Sequence, residues 1–140
     1  MLSAGCAHRR PAGPVAVAVP APLTPASAQG CARLTALLPQ RLESLPRRAT
    51  TPTSPLVAAW GASAVVLRCG VARPPGFTAG SQTTVVNGLA WFQVVGTRSV
   101  TWTALGRSAY VELRIPQSEP ADAFLVDLGS VIARALPAAR

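Results

Sequence analysis

Side-chain catalysis needs a nucleophile beside a base, a working pair of carboxylates, or a cluster of metal ligands. This chain of 140 residues carries few of those parts: its single histidine is His8, it has no lysine, and its five acids are Glu43, Glu112, Glu119, Asp122 and Asp127. No Gly-x-Ser-x-Gly elbow and no phosphate-cradling glycine loop is present. Three of the acids (Glu119, Asp122, Asp127) gather at the start of one helical pattern, where they complement the positive end of a helix dipole. Two cysteines 38 residues apart with no neighbouring histidine do not have zinc spacing, and His8 sits alone near the N-terminus. The residues therefore point to no catalytic group, no metal and no cofactor. Glu112 or Asp127 acting in an envelope hydrolase is the enzymatic alternative, and it requires a cleft that raises a carboxylate pKa.

Binding chemistry has more to draw on. In the alternating run 109–115, Val111, Leu113 and Ile115 share one face while Tyr110, Glu112 and Arg114 share the other. Arg68 joins that polar face if its strand is adjacent, and Trp91 or Trp102 is expected at its rim. Aromatic rings beside an Arg/Glu pair suit a sugar or a peptide; the plainer reading is a solvated sheet face with cross-strand ion pairs. The formal charge of +8 comes from 13 arginines. They are dispersed, with only Arg9-Arg10 and Arg47-Arg48 adjacent, so nucleic acid is an unlikely partner. Binding of anionic envelope polymers through these dispersed arginines is the other alternative.

Three cysteines remain. Cys31 falls on the apolar stripe of a predicted helix, and Cys69 points with Val65, Leu67 and Val71 toward a core. The pair reads as a disulfide closing a loop of about 38 residues, worth on the order of 4 kcal/mol in the chain-entropy account, and as such requires an oxidising compartment. Two buried free thiols in a cytosolic protein are the competing reading. Cys6 follows Leu2-Ser3-Ala4-Gly5, which resembles the end of a bacterial lipoprotein signal. The charged and apolar regions of such a signal do not precede it, so either they lie upstream of Met1 or Cys6 is an ordinary tail thiol.

The elements that must hold these residues follow from periodicity. With 49% apolar residues, 14 prolines and 11 glycines, the chain suits one globular domain with Pro-rich segments. The expected division is a signal remnant or tether over 1–14, a domain over 15–137 and a short tail over 138–140. An edge strand is expected at 15–19. Thr24-Pro25 has the form of a helix N-cap with proline at the first helical position. Cys31, Leu34, Leu37, Leu38, Leu42 and Leu45 continue an apolar stripe that Pro39 kinks or restarts. Residues 46–55 read as a loop, 56–60 as a helical turn with Trp60 lidding the core, and 64–71 as a central strand. Asn87-Gly88 marks a hairpin between strands at 83–86 and 89–95. Strands at 99–104 and 109–115 follow, then a helix from Glu119-Pro120 with Phe124, Leu125, Leu128, Val131, Ile132, Ala135 and Leu136 on its apolar face. The expected fold is α+β: a single domain with a twisted, mainly antiparallel sheet of about five strands and two helices packed on one face.

Five blocks carry a family resemblance: Cys-Ala-Arg-Leu through Leu-Pro-Gln-Arg-Leu (31–42), Ser-Pro-Leu-Val-Ala-Ala-Trp-Gly (54–61), Val-Val-Leu-Arg-Cys-Gly-Val (65–71), Val-Asn-Gly-Leu-Ala-Trp-Phe (86–92) and Gly-Arg-Ser-Ala-Tyr-Val-Glu-Leu (106–113). Over about residues 15–137 the chain resembles a family of small actinobacterial envelope proteins known as domain of unknown function 3515. The resemblance implies export and a paired Cys31–Cys69, and it brings no activity, ligand or catalytic residue. The resulting expectation is an exported envelope protein, secreted or held at the membrane by a lipid on Cys6. It would bind or scaffold an envelope protein or wall component rather than catalyse.

Overall fold

The computed structural model describes residues 13–22 and 24–139. The expectations placed on Cys6 and His8 lie outside those residues. The fold is a single α+β domain. Its main sheet has eight strands rather than about five, lying side by side in the order 41–42, 45–48, 57–60, 65–71, 110–116, 99–104, 89–95 and 84–86, and every pairing in it is antiparallel. Two helices, α1 (Pro25–Leu37) and α2 (Ala121–Ala135), complete one core with it.

The centre of the sheet is β6 (Val65–Val71), flanked by β5 (Val57–Trp60) and β10 (Tyr110–Pro116). Its two faces are both covered, Val65, Leu67 and Cys69 by the helix-side core and Val66 by Val17 with Val57 and Ala59, which is why it lacks a clean polar alternation. Beyond β10 come β9 (Ser99–Ala104), β8 (Leu89–Val95) and the short edge strand β7 (Thr84–Val86). The β7–β8 hairpin turns at Asn87 and Gly88, both at positive φ (49° and 82°), as a two-residue turn matched to strand twist requires.

Where the leucine stripe was expected to continue as helix, it does not. Helix α1 stops at Leu37, and Leu38 leaves in an extended conformation ahead of Pro39, as the residue before a proline must. The chain then makes a hairpin of β2 (Arg41–Leu42) and β3 (Leu45–Arg48). Leu42 stays in the core from a strand, and Leu37 is half exposed at the helix end. The predicted loop at 46–55 therefore contains the end of β3 and the short strand β4 (Thr50–Thr51), and the predicted turn at 56–60 is strand β5. Trp60 is fully buried as expected, and its indole N–H donates to the Pro39 carbonyl at 3.0 Å.

The expected N-terminal edge strand is shorter and differently placed. β1 (Val15–Ala16) pairs in parallel with β4, apart from the main sheet. Val17 follows it, donating to the Thr51 carbonyl at 3.1 Å. The segment lies over the face of β5 and β6 opposite the helices, where Val17 packs with Val57, Ala59 and Val66 in a second apolar cluster. At the far end, Ala139 donates to the Gly106 carbonyl at 2.9 Å.

Helix α1 begins as the sequence implies: the Thr24 side chain accepts from the Ser27 N–H and proline occupies the first turn. The glycine within it, Gly30, faces α2. A Cβ there would lie 2.7 Å from Leu136 Cδ2, so the residue that costs helix propensity is what permits the close helix–helix approach. The Cys31–Cys69 disulfide is formed, with Cα atoms 5.5 Å apart and neither cysteine exposed. It joins α1 to β6. Next to it, β6 and β10 shift register between Tyr110 and Val111, and Gly70 takes up the bulge at φ 90° with Pro22 against it.

Two outcomes follow. Gly70→Ala forces a side chain into the left-handed region beside Pro22 and should cost about 2 kcal/mol in denaturant unfolding. Reducing the disulfide, or replacing both cysteines with alanine, should lower stability by about 4 kcal/mol, as read by the denaturation midpoint, if loop closure dominates.

Candidate functional site

The register decides which face each candidate occupies. Glu112 lies directly opposite Arg68 on β6, so the two outward side chains meet in an ion pair of 3.0 Å, the one salt bridge among the described residues. Both are partly buried. Arg68 also donates through Nε to the Ala18 carbonyl at 2.9 Å. This guanidinium thus fastens the N-terminal segment to the sheet while its charge is matched by Glu112. Arg114, two residues along, is exposed and sits opposite Val66 and Thr101. The structure therefore brings Arg68, Glu112 and Arg114 onto one face, as the alternation predicted.

The aromatic candidates part company with them. Trp102 is opposite Leu113, and Trp91 is opposite Ala104, which is in turn opposite Val111. These are the inward-facing residues of β10, so both indoles belong to the helix-covered core, where Trp91 is 0% and Trp102 8% exposed. Their expected place at the rim of the outer face is corrected accordingly. The signal was present in the alternation Leu89–Trp91 and Val100–Trp102, which places each tryptophan with an aliphatic core residue. Both indole N–H groups are buried without a hydrogen-bond partner. Tyr110 is displaced by the bulge, pairs with Val71, and lines a small pocket of about 170 Å³ with Ser27, Arg107 and Ser108 instead of standing beside Glu112.

The outer face is not bare. Residues 15–17 cover β5 and β6. On the other side Phe77, from the loop after β6, packs against Phe92 of β8 with ring centroids 5.2 Å apart and planes tilted by 58°, and Arg73 lies over Phe77. Thr103, between the two covers, is buried. The free surface of the face is the strip near Arg114, Thr101 and Val94.

The two acids proposed for hydrolysis are differently engaged. Glu112 is held in its ion pair. Asp127 is exposed on α2, and its carboxyl meets that of Glu43 in the β2–β3 turn. Hydrogen bonding to Asp127 and its charge raise the Glu43 pKa from its ordinary value. Glu43 was not singled out in the sequence because its partner is 84 positions away and its own backbone is at an unusual φ of 54°. Among the described residues, no group of three or more His, Cys, Asp or Glu side chains is placed to hold a metal ion.

The fold and this face define a disulfide-pinned α+β domain whose sheet is covered by helices on one side and largely by its own chain on the other. The chain matches the model of the family described as Protein of unknown function (DUF3515) over residues 1–140, and it belongs to that family. No curated protein and no solved structure matches it.

The Glu43–Asp127 contact has a pH signature. A carboxyl whose pKa is raised by folding favours the native state below its ordinary titration range, and that advantage is lost as pH rises through the raised value. Glu43→Gln should therefore raise the thermal midpoint near neutral pH, and the gain should fade as acid takes the solution below the usual carboxylate range. A gain that stays constant with pH would assign the effect to something other than this pair.

Proposed function

We propose that this protein works outside the cytosol as a non-catalytic binding or scaffolding domain held at the membrane by a lipid on Cys6. The observation that carries the reading is the Cys31–Cys69 disulfide. A bond between two wholly buried sulfurs that pins a helix to the central strand is structural, and structural disulfides form and persist in oxidising compartments. Among the described residues no helix is long and apolar enough to cross a membrane; the proposed attachment is at Cys6, ahead of the Pro-rich segment that leads to β1. The strip around Arg114, beside the Arg68–Glu112 pair, is the surface offered to an envelope protein or wall component. A carboxylate hydrolase has less support, because Glu112 is neutralised by Arg68 and Asp127 stands on an exposed helix surface.

Acid-quenched cells probed with a maleimide polymer under denaturing conditions should leave Cys31 and Cys69 unmodified until a reductant is added. Modification of both without reductant would overturn export. Native protein extracted from membranes should carry a diacylglyceryl mass on Cys6, and Cys6→Ser should release it from the membrane fraction. An unmodified Cys6 in protein that still sediments with membranes would overturn the lipid tether. A photo-crosslinker at position 114 should capture a discrete envelope component in intact cells, whereas the same group at exposed position 36 on α1 should not. Equal labelling from both positions would remove the assignment of this face.

A further inference from the structure

Away from the outer strip, a cleft of about 370 Å³ opens where the end of β3 meets the 49–55 loop and the C-terminal part of α1. Its polar lining is Thr35, Arg47, Arg48, Thr50, Thr53 and Ser54, and no acidic side chain lines it.

The two arginines are held in different ways. Arg48 is a clamp: its guanidinium donates to the carbonyls of Gly13, Gly61 and Ala62. Its Nε is nevertheless buried with no partner among the described residues. Arg47 makes no side-chain hydrogen bond or ion pair with any described residue, although its backbone N–H donates to the Gln40 carbonyl at 2.7 Å. Its guanidinium lies over the Trp60 ring, 5.4 Å from the centroid, and partial burial lowers its pKa. Its place over an indole leaves its five N–H donors unspent. A half-buried cation in this condition is short of acceptors.

The opposite wall supplies more donors. Ser54 Oγ accepts from the Leu56 N–H at 3.1 Å, so its own O–H is free to donate. Thr53 has no side-chain partner among the described residues, and Thr50 reaches the Pro52 carbonyl only at 3.4 Å. Thr35 alone is committed, to the carbonyls of Cys31 and Pro55. The cleft is therefore lined by donors, with the unpaired Arg47 charge at its wall and no acidic side chain among the described residues that line it.

We infer that this cleft binds a phosphate ester, with Arg47 gripping two phosphate oxygens through its guanidinium fork and Thr53 and Ser54 donating to the remaining oxygens. A planar carboxylate is satisfied by the fork alone, whereas a tetrahedral phosphate takes further donors, which the lining supplies in Thr53 and Ser54. The volume exceeds that of the bare ion and leaves room for the esterified group. The site is independent of export and of the outer strip.

The test is titration of the isotope-labelled full chain, followed through the Arg47 side-chain N–H and the backbone amides of Thr53 and Ser54. Glycerol 3-phosphate at millimolar concentration should shift these signals saturably. Arg47→Gln should weaken binding about tenfold, and Thr53→Val, in an exposed loop, should weaken it measurably with the spectrum otherwise unchanged. Arg134→Gln, which removes an equal charge on α2, should leave affinity as it is. Vesicles of phosphatidylglycerol that perturb the same signals, where phosphatidylcholine vesicles do not, would place the phosphate in a lipid headgroup; a response to glycerol 3-phosphate without one to vesicles would place it in a soluble or polymeric ester. Absence of a saturable shift with both probes overturns the site. So does an affinity unchanged in Arg47→Gln and Thr53→Val, or lowered equally by Arg134→Gln, which would indicate diffuse attraction. An equal response to succinate overturns the assignment to phosphate.

Discussion

The Cys31–Cys69 bond is the constraint on which the two-layer structure rests. Helix α1 is a poor helix on its own terms: thirteen residues long, with a glycine in the middle and no acidic residue in its first turn or basic residue in its last. Short helices of this kind draw their stability from packing rather than propensity. The sulfur bridge holds α1 against β6, Gly30 lets it approach Leu136 at the end of α2, and the bulge at Gly70 accommodates the close approach of Pro22 beside the bridge. Each of these features has a use only because the others are present.

The same economy shapes the opposite face. A sheet covered on one side leaves the other to meet water, and here β5 and the first half of β6 are too apolar for that. Val57, Ala59 and Val66 are instead roofed by Val15 and Val17. Arg68 and Arg48 hold that roof by donating to the carbonyls of Ala18 and Gly13. Two arginines that look like surface charge in the sequence are thus fasteners between the start of the described chain and the sheet. Their loss would be felt as lost hydrogen bonds to backbone as much as lost charge. The segment leading in from the proposed lipid anchor is therefore itself part of the domain from Gly13 onward.

Legibility followed the range of the interactions. The Asn87-Gly88 hairpin, the strands at 89–95 and 99–104, the N-cap at Thr24 and the apolar face of α2 depend on neighbours in sequence, and all stand where periodicity put them. The stretch from Pro39 to Trp60 did not yield to the same reading. Leu42 and Leu45 keep helical spacing with Leu34 and Leu38, yet Pro39 ends the helix and the two leucines face each other across the β2–β3 hairpin, whose second strand adds to β5. Of the outer-face candidates, Glu112 and Arg114 were legible from alternation, whereas Arg68 joins them only because β6 lies beside β10, which the sequence left open. Trp91 and Trp102 were expected at the rim although alternation with Leu89 and Val100 marks their inward side, and the place of Tyr110 depends on the bulge between β6 and β10.

By itself the sequence determined what alternation, capping and turn chemistry can determine: an α+β chain, an inward-facing pair of cysteines, and an Arg/Glu pair on a polar strand face. These are one-dimensional properties, set by spacings of two, three and four residues. Only the tertiary structure decided which strand lies beside which, that the N-terminal segment roofs the sheet, and that Arg47 is left without an acceptor in a donor-lined cleft while Glu43 meets Asp127. Those outcomes depend on contacts between residues tens of positions apart, where register and layer packing, rather than local pattern, fix the distances.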